Sequence, residues 1–228
     1  MLKYLLFDLD ETLFDFPAAE RAAISEVLSG LGITPTDEII KRYSEINRSC
    51  WDMLERGEIS RERLVVLRFE ILREELSADF SPEEAQKNYV FALGGQHRFI
   101  EGAEEILSTL SENYELYAVT NGLLAVQSRR IRDAELDRFF KGYFISEELG
   151  YSKPQREFFE AAFAKIPSFD KERAIIIGDS LQSDILGGKN AGIKTCHYNP
   201  KKKKNNTGII PDYEINDLSV LPGLLKEI

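Results

Sequence analysis

The sequence predicts an α/β fold, a parallel sheet covered by helices on both faces, with a block of helices inserted after its first strand. Three observations lead there. Lys3-Tyr4-Leu5-Leu6-Phe7 is an apolar run too short for a buried helix and rich in β-compatible residues, and it runs straight into Asp8, Leu9 and Asp10. From Ile100 to the C-terminus, short apolar runs alternate with helical patterns. Between Pro17 and about Gly95 the periodicity is helical, with little strand signal.

In the insertion, Ala19, Ala23, Val27 and Leu31 repeat every fourth residue and make one helix face, which ends at Gly32. Ile39, Tyr43 and Ile46 mark a second helix, entered through Thr34-Pro35-Thr36-Asp37. Ser60 caps a third, which carries Leu64, Leu67 and Ile71 on one face. Ser81-Pro82-Glu83-Glu84 is a helix start, with Ser as N-cap, Pro at the first position and Glu three residues on. Gly94-Gly95 closes the block as a helix stop or a hinge.

Beyond it, Ala103 to Ser111 reads as a helix, Tyr114 to Val119 as a strand and Leu123 to Asp137 as a helix. Tyr143 to Ile145 is a short strand, Pro154 to Ile166 a helix and Ala174 to Ile177 a strand. Leu181 to Ala191 is a helix, Ile193 to Tyr198 and Tyr213 to Ile215 are strands, and a short helix follows. The expected division is a Rossmann-like core of residues 1–14 and 97–228 and a helical cap of residues 15–96.

The totals bound the function. A chain of 228 residues buries a full core, and 43% apolar residues place it among globular proteins. A net charge of −10 argues against a nucleic-acid groove or an anionic membrane surface. Cys50 and Cys196 are far apart in no metal-like spacing, as expected of reduced thiols in a cytoplasmic protein. No run approaches the ~18 apolar residues of a membrane helix. Lys201 to Lys204 reads as a solvated loop, and His97 and His197 read as lone histidines with structural or surface roles.

Apolar strands end in polar residues: Asp8 and Asp10, then Thr120 and Asn121, then Asp179. In a parallel sheet these ends share one edge, where open α/β sheets bind ligands. Asp8 and Asp10 lie two apart, on the same side of an extended chain, and at about 4 Å their repulsion costs about 4 kcal/mol. A cation or a lysine must offset it, unless the stretch is only an Asp-rich turn. Lys153, in Ser152-Lys153-Pro154, and Asp184, five residues past Asp179, complete the set. Carboxylates suit Mg²⁺, whereas a lysine, a threonine hydroxyl and helix-start amides suit phosphate. A site with both reads as phosphoryl transfer.

These residues carry a resemblance that covers nearly the whole chain. Asp8-Leu9-Asp10-Glu11-Thr12, Val119-Thr120-Asn121-Gly122, Lys153-Pro154 and Gly178-Asp179-Ser180 to Asp184 resemble, in order, the four motifs of the haloacid dehalogenase superfamily. The helical insertion resembles the cap of its subclass I. The resemblance implies Asp8 as nucleophile and Asp10 as general acid and base. It implies Mg²⁺ held by Asp8, the Asp10 carbonyl and Asp179 with support from Asp184, and phosphoryl oxygens held by Thr120, the Asn121 and Gly122 amides and Lys153. Dehalogenases usually lack an aspartate at position 10, so phosphate-ester hydrolysis is expected. A non-catalytic relative would be expected to have lost Asp8 or Asp10.

Ile46-Asn47-Arg48-Ser49-Cys50-Trp51 and Glu55-Arg56-Gly57-Glu58-Ile59-Ser60-Arg61 are similar to bacterial pyrimidine 5′-nucleotidases, as is Phe14-Asp15-Phe16 before an Ala-rich helix. The implied substrate is a nucleoside 5′-monophosphate; the alternative is a sugar or other small metabolite phosphate. Trp51 or Phe16 is then a candidate for stacking on a base and Asn47 for bonding its edge. Trp51 as ordinary helix packing and Asn47 as a plain polar position stay open. Monomer and homodimer are equally open.

Overall fold

The computed structural model describes residues 1–54 and 56–228. In chain order, β1 (Tyr4–Phe7) precedes four helices: α1 (Phe16–Gly30), α2 (Asp37–Glu55), α3 (Arg61–Leu76) and α4 (Pro82–Gly94). Then follow α5 (Ala103–Ser111), β2 (Glu115–Thr120), α6 (Leu124–Asp133), β3 (Phe140–Ile145), α7 (Ser146–Leu149), α8 (Arg156–Ala164) and β4 (Ala174–Gly178). The chain ends with α9 (Leu186–Ala191), β5 (Lys194–Tyr198), β6 (Tyr213–Ile215) and α10 (Leu221–Glu227).

Two compact units result, one of Met1–Phe16 with His97–Ile228 and one of Pro17–Gln96. Asp15 and Phe16 thus go with the sheet, two residues beyond the expected boundary at residue 14. The reason is a short antiparallel pairing. Asp15 N–H donates to the Arg98 carbonyl (3.0 Å), Ile100 N–H donates to the Leu13 carbonyl (2.8 Å), and Phe14 bridges Phe99. The outgoing and returning chains therefore run side by side.

Among the described residues, six strands form one parallel sheet in the order β3-β2-β1-β4-β5-β6, with β1 inside it. Alternation explains the unbroken apolar run of β1. Leu5 and Phe7 join a core with Leu107 of α5, Ile131 of α6 and Leu221 of α10, whereas Tyr4 and Leu6 join the opposite core with Phe158 and Phe159 of α8. Both faces are covered, and every strand's C-terminal end points to the same edge.

Several boundaries differ from the sequence reading by a residue or two, and three elements differ by more or in kind. The helix expected over Leu123 to Asp137 stops at Asp133, and Glu135, at φ 52°, turns the chain into a 3-10 turn. β3 starts at Phe140, where Lys141 and Gly142 hide the apolar pattern. The helix expected over Leu181 to Ala191 opens with a π-type turn over Leu181–Ile185 before α9.

In the helical unit, Thr36, Ser60 and Ser81 each cap a helix by accepting from the backbone N–H three residues on. α3 does not bury the expected Leu64–Leu67–Ile71 face; it buries Leu64, Arg68, Phe69 and Leu72. Arg68 is drawn inside by a polar network. It donates to Asn47 Oδ1 and Gln86 Oε1 (2.7 Å each), and its guanidinium lies 4.6 Å over the Tyr89 ring.

Candidate active site

The site is built on strand ends. Asp8 follows β1 directly, and its N–H donates to the Ile177 carbonyl of β4 (2.9 Å). After Asp8 the chain coils tightly, Leu13 and Phe14 both donating to the Leu9 carbonyl (2.8 Å each), which turns Asp10 and Thr12 back over the sheet edge. Thr12 Oγ1 donates weakly to Asp8 Oδ2 (3.3 Å).

Lys153 is the centre of the charge balance. It is 2% exposed, and its Nζ donates to Asp8 Oδ1 and Asp184 Oδ1 (2.6 Å each) and to the Val119 carbonyl (2.9 Å). Asn121, past the end of β2, clamps the loop that carries it: Nδ2 donates to the Lys153 carbonyl and Oδ1 accepts from Lys153 N (2.9 Å each). Asp184 sits on the π-type turn and accepts the Ser180 N–H (3.0 Å). Gly178 makes room for it, since a Cβ there would stand 2.3 Å from the Asp184 carboxyl.

Asp8, Asp179 and Asp184 each offer a carboxylate oxygen, all within 4.8 Å of one another. Burial pushes Asp8 up to about 7, aided by Asp184 and Asp10 and opposed by Lys153. Burial and the charges of Asp8 and Asp184 push Asp179 up to about 9. The carboxylates hold Lys153 above the ordinary lysine range against its burial. With all three carboxylates ionised, one ammonium leaves a deficit of two charges, and the donors are all hard oxygens. The set fits a divalent cation such as Mg²⁺. Beside it, His197 donates through Nε2 to the Asp179 carbonyl (3.0 Å), fixing that backbone.

Asp10 stands outside this cluster. Its carboxylate accepts from Arg130 Nη1 (2.5 Å) and from Gln127 Nε2 (2.7 Å), both on α6. Gln127 Nε2 also donates to Thr120 Oγ1 (2.9 Å), which accepts the Gly122 N–H as well (3.1 Å). The sequence reading expected a cation near the paired aspartates and found Lys153; it missed Gln127 and Arg130. Their signal was the i, i+3 spacing on the helix that follows Thr120-Asn121-Gly122, obscured by Arg129 and Arg132 nearby.

The candidates in the helical unit fall differently. Asn47 is buried inside that unit, its Nδ2 donating to Glu20 Oε1 (2.6 Å) and its Oδ1 accepting from Arg68. Both ends of the amide are engaged, so Asn47 is the polar hub of the helices rather than an edge free to meet a base. Trp51 in α2 is half-buried, as is Phe16, which sits with the sheet unit. Glu55, the first residue of the second similar stretch, lies outside the described residues. The lysine loop is ordered at its base, where Asn199 Oδ1 accepts Lys203 N–H (2.8 Å). Lys201, Lys203 and Lys204 line a cavity of about 360 Å³ together with Glu11, Asp179 and Ser180.

The family profile of haloacid dehalogenase-like hydrolases matches residues 2–192. YfnB, a HAD-hydrolase of Bacillus subtilis, is 40% identical over 97% of this chain and 94% of its own. Its crystal structure bound to magnesium superposes with a TM-score of 0.94, at 39% identity, over 98% of each chain. The pyrimidine 5′-nucleotidase PynA of Streptococcus pneumoniae is 40% identical over 93% of this chain and 90% of its own. The pyrimidine 5′-nucleotidase YjjG of Escherichia coli is 31% identical over 97% of both. With the motifs, the parallel sheet and these matches in agreement, the chain belongs to the haloacid dehalogenase-like hydrolases.

Proposed function

We propose that the protein is a Mg²⁺-dependent phosphatase that hydrolyses nucleoside 5′-monophosphates through an aspartyl-phosphate. One observation carries the reading: Asp8, held by Lys153, lies at the same sheet edge as an independently held second carboxylate, Asp10. A dehalogenation would have no use for that second acid. The match to PynA and YjjG over most of each chain supports the choice of nucleotide.

In the first step an Asp8 carboxylate oxygen bonds to phosphorus and the P–O bond to the nucleoside breaks. Asp10 delivers its proton to the departing oxygen, so a neutral alcohol leaves. In the second step water attacks the phosphorus and gives a proton to Asp10. The P–O bond to Asp8 breaks, and phosphate and the original carboxylates return. Thr120 and the Asn121 amide hold the phosphoryl oxygens, and Lys153, whose protons go to Asp8, Asp184 and the Val119 carbonyl, offsets the negative charge beside them, while the Gly122 amide serves Thr120. Asp8, the Asp10 carbonyl and Asp179, with support from Asp184, would hold Mg²⁺, which would supply positive charge to the phosphoryl group.

The test is a panel of phosphorylated metabolites assayed with Mg²⁺. Nucleoside 5′-monophosphates are expected to be the best substrates, and chelation is expected to silence the enzyme. A preparation that hydrolyses no phosphomonoester would overturn the chemistry; preference for a sugar phosphate over every nucleotide would overturn the substrate.

A further inference from the structure

We infer that Gln127 and Arg130 are positioning residues for this reaction, a relay that orients the Asp10 carboxylate and the Thr120 hydroxyl together; the inference rests on the phosphatase reading above. Both residues are fully buried and lie three apart on one face of α6. Neither belongs to the four motifs, yet together they reach two of them.

The hydrogen bonds fix one arrangement. Arg130 Nη1 donates to Asp10 Oδ1 and to Gln127 Oε1 (3.1 Å), and its guanidinium lies 4.6 Å over the Phe14 ring. The guanidinium can only donate, so the Gln127 oxygen must face it. That turns the Gln127 NH₂ group toward Asp10 and Thr120, with one proton for Asp10 Oδ2 and one for Thr120 Oγ1. A flipped amide would set its oxygen against a carboxylate and its protons against a cation.

Two consequences follow for the reacting groups. The Thr120 oxygen accepts from Gln127 and from Gly122, which occupies both lone pairs and directs its own proton to a further acceptor. In the proposed complex that acceptor is a phosphoryl oxygen. Asp10 meets one donor on each oxygen, so about half of its four lone-pair positions remain, to carry the proton it gives the ester oxygen and, once that proton has gone, to accept one from the incoming water. Orientation, and not charge alone, is what the relay supplies. Gly122 belongs to the same device, because a Cβ there would come within 2.5 Å of Gln127 Nε2.

The leaving group distinguishes this role from a merely structural one. A nucleoside departs as an alkoxide unless protonated, whereas 4-nitrophenolate departs unaided. The ratio kcat/KM reports steps up to aspartyl-phosphate formation, where the proton is given. Gln127→Leu and Arg130→Met are expected to lower kcat/KM for a nucleoside 5′-monophosphate about 10²-fold and for 4-nitrophenyl phosphate about 10-fold or less. Arg130→Lys, which keeps the charge but not the fork, is expected to fall between wild type and Arg130→Met.

Circular dichroism and thermal midpoints identify the folded variants. Should Arg130→Met fail to fold, Gln127→Leu and Arg130→Lys decide the matter. Equal losses on both substrates, no loss, or a gain on the nucleotide would overturn the relay while leaving the phosphatase reading intact. Wild-type protein inactive on both substrates would instead overturn the reading beneath it.

Discussion

Lys153 uses all three of its protons on oxygens inside the protein, two of them carboxylates. Its removal exposes the acidic cluster to its own repulsion. Lys153→Met is expected to destabilise the metal-free protein by about 3–5 kcal/mol, as breaking buried ion pairs does. Denaturant titrations with and without Mg²⁺ check this, the metal recovering part of the loss. Asp8→Asn, which removes one of the repelling charges, is expected to keep the fold and lower turnover by about 10³-fold or more. Wild-type rates in purified Asp8→Asn would remove Asp8 as nucleophile.

The raised carboxylates give a pH dependence with a definite sign. Asp8, at about 7, and Asp179, at about 9, hold protons more tightly folded than unfolded. Their contribution to stability is full below the unfolded value near 4 and is lost as pH rises through 7 and then 9. A cation competes with those protons. The rise in thermal midpoint on adding Mg²⁺ is therefore expected to grow between pH 6 and pH 9. A shift of constant size over that range would argue against metal at this cluster.

At the scale of elements, the π-type turn before α9 decides where Asp184 points. Ser180 Oγ accepts the Ser183 N–H (3.1 Å) and starts the turn, while the Ser180 N–H meets Asp184. Gly178→Ala pushes a methyl into that carboxyl, so weaker Mg²⁺ binding and lower activity, about 10²-fold, are expected with the sheet intact; calorimetric titration and assay test it. The sequence shows a helix here but not the turn's extra residue, because apolar spacing does not resolve one inserted position. The same limit hid Arg68. A charged residue on a helix is read as exposed, yet Asn47 of α2 and Gln86 of α4 accept from it, and Asn47 in turn donates to Glu20 of α1. Arg68→Met takes the donor from Asn47 Oδ1 and Gln86 Oε1 and is expected to cost about 3–5 kcal/mol, measured through Trp51, the chain's single tryptophan and part of this unit.

For the molecule as a whole, the parallel sheet and its polar edge were legible because β1 ends in carboxylates and the other strands follow a regular alternation. Lys153, in the loop before α8, meets Asp8 past the end of β1 and Asp184 in the turn before α9. Gln127 and Arg130 were not legible, since nothing in QSRR says which side chains turn inward. Neither was the network around Asn47, whose partners Glu20 and Arg68 lie on α1 and α3 and which reaches Gln86 of α4 through Arg68.

The pairing of Phe14 with Phe99 has a consequence for how such a protein changes over time. Because the two chain crossings are zipped together on the sheet side, the loop between them is already closed, and lengthening or replacing it adds only about 0.6 kcal/mol of chain entropy per doubling. Pro17–Gln96 is thus an exchangeable cassette: new helices can be tried there, and new clienteles with them, while the catalytic edge is inherited unaltered.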